Sequence, residues 1–122
     1  MKNKPQFSAE MELDAEVNAQ IWRLAGKMVT GSCCYDFLDS VRENIANGQI
    51  NAILDMTDIS WTNSTGVGVL ASIFNAAGDA GGAMVLVGAN QRVEATLKIV
   101  NLWPVVATFD SLAEALEHLK GK

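Results

Sequence analysis

The chain has 122 residues, 49% of them hydrophobic and 19% charged, and a formal net charge of -5 at pH 7. This is the composition of one folded domain with a proper core, and it excludes a disordered chain, which would carry fewer hydrophobes and more charge. An acidic balance without a Lys/Arg stripe argues against nucleic acid as a partner, and no apolar run reaches the roughly 20 residues of a membrane helix.

Met1-Lys2-Asn3-Lys4-Pro5-Gln6 is basic, but Ser8, Glu10 and Glu12 follow it where a secretory signal would have its apolar core. The expectation is a cytoplasmic chain with no direct membrane insertion. Residues 1–9 read as a short tail and 10–119 as a single domain. Glu10 to Val17 alternates as a strand does; after Asn18-Ala19 a second run, Gln20 to Leu24, completes a hairpin that Gly26 ends. Thr30-Gly31-Ser32 makes a turn with a helix N-cap. Tyr35, Leu38, Val41, Arg42 and Ile45 then recur at helical spacing as one face, until Asn47-Gly48 stops the helix. The adjacent Cys33 and Cys34 are poorly placed to bridge each other. With no CxxC or Cys/His cluster they predict no metal site and read as thiols at the start of this helix.

Ile50 to Met56 is almost continuously apolar, the mark of a strand buried on both faces. Thr57 to Trp61 and Thr62 to Gly66 read as the turn into a second helix, with Val67, Leu70, Ile73, Phe74 and Ala77 on its inner face. Gly78 to Gly82 breaks that helix, and Ala83 to Val87 is another buried strand, closed by Gly88-Ala89-Asn90. Arg92 to Val100 is helical with Val93, Leu97 and Val100 in line, and Leu102-Trp103-Pro104 breaks it. Val105 to Phe109 supplies a short last strand. Asp110-Ser111 caps a final helix with Leu112, Leu116 and Leu119 facing in and Glu114, Glu117 and Lys120 facing out. The order predicts an α/β fold with a strand-strand-helix start: a mixed, mostly parallel sheet of about five strands covered by about four helices.

Three stretches in this order resemble a known family. Ile53 to Leu70 (ILDMTDISWTNSTGVGVL) has the pattern of apolar strand, Asp-Ser-Ser/Thr-Gly turn and apolar helix. Gly81 to Leu102 (GGAMVLVGANQRVEATLKIVNL) resembles a glycine-led strand and its following helix, and Phe109 to Leu116 (FDSLAEAL) the start of a terminal helix. With the turn Ala25 to Lys27, the chain is similar over roughly residues 10–119 to the STAS domain of the anti-sigma factor antagonist type. The resemblance implies a non-enzymatic regulatory module in transcription control that binds an anti-sigma factor or a GHKL-type serine/threonine kinase. Phosphorylation at the head of the second helix would release that partner, and a phosphatase would restore binding. Matched position by position, the phosphoacceptor falls on Thr65, with Ser64 the weaker candidate, and Gly66 matches the glycine of the motif. Asn63 stands where the family pattern has Asp; it keeps the capping oxygen and lacks the charge. The partner-binding residues implied are Asn63, Ser64, Thr65, Gly66, Gly26, Asn90 and Trp103.

Such a switch needs no catalytic group on this chain. It needs a hydroxyl at a helix N-terminus, where free N–H groups and the dipole favour an added phosphate, beside a surface shaped for the neutral form. Read without the resemblance, Asn63-Ser64-Thr65 is an ordinary helix cap. It also spells an N-glycosylation acceptor, a coincidence in a chain expected in the cytoplasm.

The remaining candidates point to no catalytic residue, metal or cofactor. Gly66-Val67-Gly68 and Gly78 to Gly82 lack the pattern of a phosphate loop or a dinucleotide fingerprint. His118 has no nucleophile or carboxylate at a catalytic spacing. Asp55 and Asp58 stand at a strand end and turn, where Asp orders backbone N–H groups. Trp22 and Trp61 read as core or rim aromatics, and Trp103, beside Pro104, as the one best placed to face a partner. Two alternatives stay within the fold: the STAS subunit of a lipid-transport ABC complex, gripping its ATPase, or a stressosome scaffold component without phosphoswitching. A small enzyme on an open α/β sheet is the third reading, disfavoured because no nucleophile-base pair can be assembled.

Overall fold

The structure is a computed structural model that describes residues 7–28, 32–102 and 105–121. Along the chain run β1 (Phe7–Asp14), β2 (Ala19–Met28), α1 (Ser32–Ala46), β3 (Asn51–Thr62), α2 (Ser64–Asp79), β4 (Met84–Val87), α3 (Gln91–Ile99), β5 (Ala107–Phe109) and α4 (Leu112–Lys120). The strands form one sheet in the order β1-β2-β3-β4-β5. β1 is antiparallel to β2, and the pairs β2–β3, β3–β4 and β4–β5 are parallel. The mixed, mostly parallel α/β sheet expected from the sequence is therefore present, antiparallel edge included.

The hairpin closes through polar chemistry. Asp14 Oδ1 accepts the Glu16 N–H at 3.0 Å, and Asn18 takes φ 51, a left-handed conformation that asparagine tolerates. Alternation along the strands then builds two cores. Trp22, Leu24, Leu54, Met56, Met84 and Leu86 point to one face, where α1, α2 and α3 cover them with Phe37, Val41, Leu70, Ile73, Val93 and Leu97. Ile21, Ile53, Val85 and Val87 point to the other, where α4 adds Ala115 and Leu119. β4 and the N-terminal part of β3, from Ala52 to Leu54, are buried on both faces because helices lie on both sides of them, which is why their sequences read as apolar runs.

Several boundaries and faces differ from the sequence reading. β1 begins at Phe7, whose ring meets Phe37 edge-on at 5.6 Å, so the last three residues of the expected tail are strand. β2 passes through Gly26 and continues to Met28, because neighbouring β3 supplies pairing that the local sequence does not reveal. β3 does not turn at Thr57 but runs to Thr62. In α1 Tyr35 and Arg42 are exposed, and Cys34 and Phe37 take the inner positions with Leu38 and Val41. Val100 is exposed, and β5 is reduced to Ala107–Phe109. The turn Thr30-Gly31 and Trp103 lie outside the described residues.

One buried polar group is wired deep between elements. Gln20, fully buried, donates to the Val41 and Gln49 carbonyls at 3.1 Å each, and its Oε1 accepts from Trp22 Nε1 at 2.7 Å and Asn44 Nδ2 at 3.2 Å. Every bonding position of the amide that points inward has a partner, which is the condition for burying it without a large penalty.

Candidate functional site at the head of the second helix

β3 overshoots its neighbour. Its register with β4 ends at Asp55↔Val87, whereas its pairing with β2 continues to Met28↔Thr62. The extension starts at an irregularity. Asp55 Oδ1 accepts both the Thr57 N–H (3.0 Å) and the Thr57 hydroxyl (2.6 Å), and the β2 register shifts between Arg23 and Ala25 and again between Gly26 and Lys27. Gly26 adopts φ 100 there, in the left-handed region that favours glycine.

The extension carries the chain directly into α2. Thr62, buried, donates its hydroxyl to the Met28 carbonyl at 3.0 Å, and the Asn63 N–H donates to the same oxygen at 3.2 Å. Asn63 is extended (φ -112, ψ -169); its Oδ1 accepts the Thr65 N–H at 3.0 Å and the Gly66 N–H at 3.2 Å, and its carbonyl accepts Val67 N–H at 3.0 Å. This is a helix N-cap, and no acidic residue occupies the first turn to offset the positive dipole end. Ser64 is exposed, while Asn63 and Thr65 are half-buried.

Gly66 is fixed by contact rather than by backbone conformation. A methyl group there would run into Thr62 Oγ1 and the Met28 carbonyl oxygen and come within 2.8 Å of Met28 Cβ. Its absence lets the first turn of α2 lie against the ends of β2 and β3.

Asn63, Ser64, Thr65 and Gly66 thus form one corner, and two other expected residues adjoin it through β3. Gly26 pairs with Ile59, and Asn90, the N-cap of α3, accepts from Val93 N–H at 2.9 Å and donates Nδ2 to the Ile59 carbonyl at 2.9 Å. Sequence reasoning missed the exposed part of the extension: Trp61, 42% exposed and paired in register with the exposed Lys27, next to exposed Ser60. The signal was there, because Ile53 to Thr62 contains no Gly or Pro to punctuate it, and Thr, Ile and Trp suit a strand.

The residues weighed for catalysis do not converge. Asp55 is engaged by Thr57, Asp58 is exposed, and exposed His118 lies against Phe109 with ring centroids 5.1 Å apart. Among the described residues no group of three or more His, Cys, Asp and Glu is arranged to hold a metal, and no helix is long and apolar enough to cross a membrane. Cavities of about 380 Å³ and 340 Å³ lie elsewhere, the first beside Asn18, Asn51 and Lys120 and the second beside Asn75, Val105 and His118.

A parallel sheet with an antiparallel β1, helices on both faces and an asparagine-capped Ser-Thr-Gly at the head of α2 define a domain class. The STAS domain family model matches residues 10–115, and the chain belongs to that family. Its relatives include the Thermotoga neapolitana homolog of TM1081, by name a candidate anti-sigma factor antagonist. It is 34% identical over 80 residues, which cover 66% of this chain and 71% of the relative. Among solved structures, the anti-sigma factor antagonist SpoIIAA in its unphosphorylated form superposes with a TM-score of 0.82 at 17% identity, over 94% of this chain and 98% of that one. The Bacillus cell fate determinant SpoIIAA in the phosphorylated form gives 0.76 at 16% identity, over 92% and 99%. The chain is an anti-sigma factor antagonist-like STAS domain.

Proposed function

We propose that this chain is a regulatory protein-binding module that engages an anti-sigma factor or a GHKL-type serine/threonine kinase through the Asn63–Gly66 corner, and that phosphorylation of Thr65 releases it. Gly26, Asn90 and Trp61 form the rim of the contact, with Trp103 added on the sequence reading. The observation that carries the proposal is the helix head itself. Two hydroxyls, Ser64 and Thr65, stand in the first turn of α2 on a surface locked to β2 by Thr62, Asn63 and Gly66, with no acidic side chain nearby in that turn. A phosphate there brings a charge of about -1.5 to -2 at pH 7. The N–H groups at the helix start favour that charge within this protein, and a partner surface shaped for a neutral hydroxyl rejects it. The likeness to a protein solved in both unphosphorylated and phosphorylated forms supports the same reading.

The test is affinity capture from a lysate of the source organism, using the wild type, Thr65→Ala and Thr65→Glu as baits, followed by incubation of the captured fraction with labelled ATP and mapping of the modified residue. The expected result is a kinase held by the wild type and Thr65→Ala, lost with Thr65→Glu, and label on Thr65. Equal capture by Thr65→Ala and Thr65→Glu would refute the switch, and label on Ser64 alone would move it by one residue. The loss of the family's acid at Asn63 favours a second reading, a STAS subunit that grips the ATPase of an ABC transporter. Capture of such an ATPase, equally by both variants, would support it.

A further inference from the structure

We propose that the outer edge of β1 is a second docking site, which takes an extended segment of a partner protein as an added strand, apolar on one face and basic on the other. β1 is an edge strand, and among the described residues no element pairs with its outer side. Its eight residues pair with β2 in unbroken register from Phe7↔Gly26 to Asp14↔Ala19, with no proline, lysine or bulge to blunt the edge. The far edge, β5, has three residues. The sheet therefore offers one long edge and one short one.

The two faces of that edge differ in chemistry. On the α1 side stand Phe7, Ala9, Met11 and Leu13; Phe7 is buried under Phe37, while Met11 is 39% and Leu13 54% exposed. Beside them a cavity of about 240 Å³ is lined by Phe7, Ala9, Trp22 and Phe37, with Asp36 and Ser40 also on its wall. It lies where an alternate side chain of an added strand would point, the arrangement in which backbone pairing gives affinity and a side-pocket gives specificity. On the opposite face stand Ser8, Glu10, Glu12 and Asp14; Arg23, the register partner of Glu10, forms an ion pair among the described residues with Glu12 alone, at 2.7 Å.

Charge selects the occupant. Residues opposite one another in a strand pair share a face, so a second copy paired antiparallel through β1 would bring Glu10 against Glu10 or Glu12 of its twin. Like charges directly opposite destabilise a strand pair. A strand with Lys or Arg at the same positions gains where the copy loses, and its apolar positions cover Met11, Leu13 and the cavity. The site is separate from the α2 corner and does not depend on it.

The probe is an eight-residue peptide alternating valine and lysine, titrated into the full-length ¹⁵N-labelled protein at low salt and followed by amide chemical shifts. Two control peptides accompany it, one alternating valine and glutamate, the other the lysine peptide N-methylated on the amides of one edge. The expected result is saturable shifts confined to Phe7–Asp14 and the neighbouring α1 residues. Affinity should fall tenfold or more for the protein variant Glu10→Lys/Glu12→Lys, and binding should vanish with either control peptide. Binding of the N-methylated peptide as strong as that of its parent would reduce the effect to charge attraction and overturn the proposal. So would shifts spread over the acidic surface, no shifts at all, or concentration-dependent shifts at β1 without peptide, which would mean self-pairing.

Discussion

At its N-terminal end β3 is held by Asn51, whose Nδ2 donates to the Val17 carbonyl at 2.7 Å and whose Oδ1 accepts the Ala83 N–H at 2.9 Å. At its C-terminal end Asn63 follows directly after the last pair, Met28↔Thr62. Each amide has a close-packed glycine beside it: Gly82, where an added Cβ would strike the Ile50 carbonyl, and Gly66, where it would strike Thr62 and the Met28 carbonyl. The devices match, but the wiring differs. Asn51 spends both ends of its amide tying three segments together, whereas Asn63 turns its oxygen on the first N–H groups of α2, in a turn that carries the exposed Ser64 and the half-buried Thr65. One end of the strand is a fastening, the other the corner proposed to meet a partner.

The glycines give the largest test of that difference. Gly66→Ala and Gly82→Ala should each destabilise the fold by about 1–3 kcal/mol, since each added methyl meets a backbone carbonyl that cannot rotate away. Denaturant unfolding reads this as a lowered midpoint with an unchanged slope. The two should part in partner capture: Gly66→Ala displaces the head of α2 and weakens it, and Gly82→Ala leaves the protein that remains folded fully competent. Equal loss of capture in both would erase the distinction between fastening and surface.

The asparagines come next. Asn51→Ala strands the part-buried Ala83 N–H and Val17 carbonyl, which belong to two other segments, at a cost of about 1–3 kcal/mol. Asn63→Ala removes one helix cap, whose two bonds stay within a single turn, at about 1 kcal/mol. Thermal unfolding of the pair should therefore rank Asn51→Ala below Asn63→Ala. The reverse order would mean that the cap, not the fastening, secures β3.

The same contrast explains what the sequence disclosed. The α2 corner was legible because capping is local: Asn, two hydroxyls and a glycine in four residues announce a helix start wherever they fall. The inward faces of α2 and α4 were legible too, since Val67, Leu70, Ile73 and Leu119 repeat at helical spacing and are buried as expected. What was hidden depends on pairing across the chain. The strand Thr57–Thr62 exists because β2 continues alongside it, and only that register brings Gly26 and Asn90 to the two sides of Ile59. Gln20 gave no sign that it would bond Val41, Asn44 and Gln49 from the next helix and loop. In α1 two overlapping stripes were available to the eye, and the aromatic contacts of Phe37 with Phe7 and Trp22 selected the one that excludes Tyr35 and Arg42.

The smallest expected effect bears most directly on the departure from the family pattern. Asn63→Asp keeps the oxygen that caps Thr65 and Gly66 and adds a negative charge at a helix N-terminus that has no acid in its first turn. The charge should stabilise the fold by about 0.3–1 kcal/mol at low salt and neutral pH. A carboxylate that accepts two N–H bonds titrates lower in the folded chain than in the unfolded one. The gain is therefore present above the unfolded carboxylate's ordinary value and is lost as the pH falls through the depressed folded one. Melting temperatures of the wild type and Asn63→Asp measured across that range should converge in acid and separate at neutral pH, with the gap narrowing as salt is added. A gap that does not change with pH would show that the difference comes from the geometry of the cap and not from its charge. If the gap opens as expected while labelling of Thr65 by the captured kinase rises, the natural asparagine lowers phosphorylation and leaves the binding surface intact.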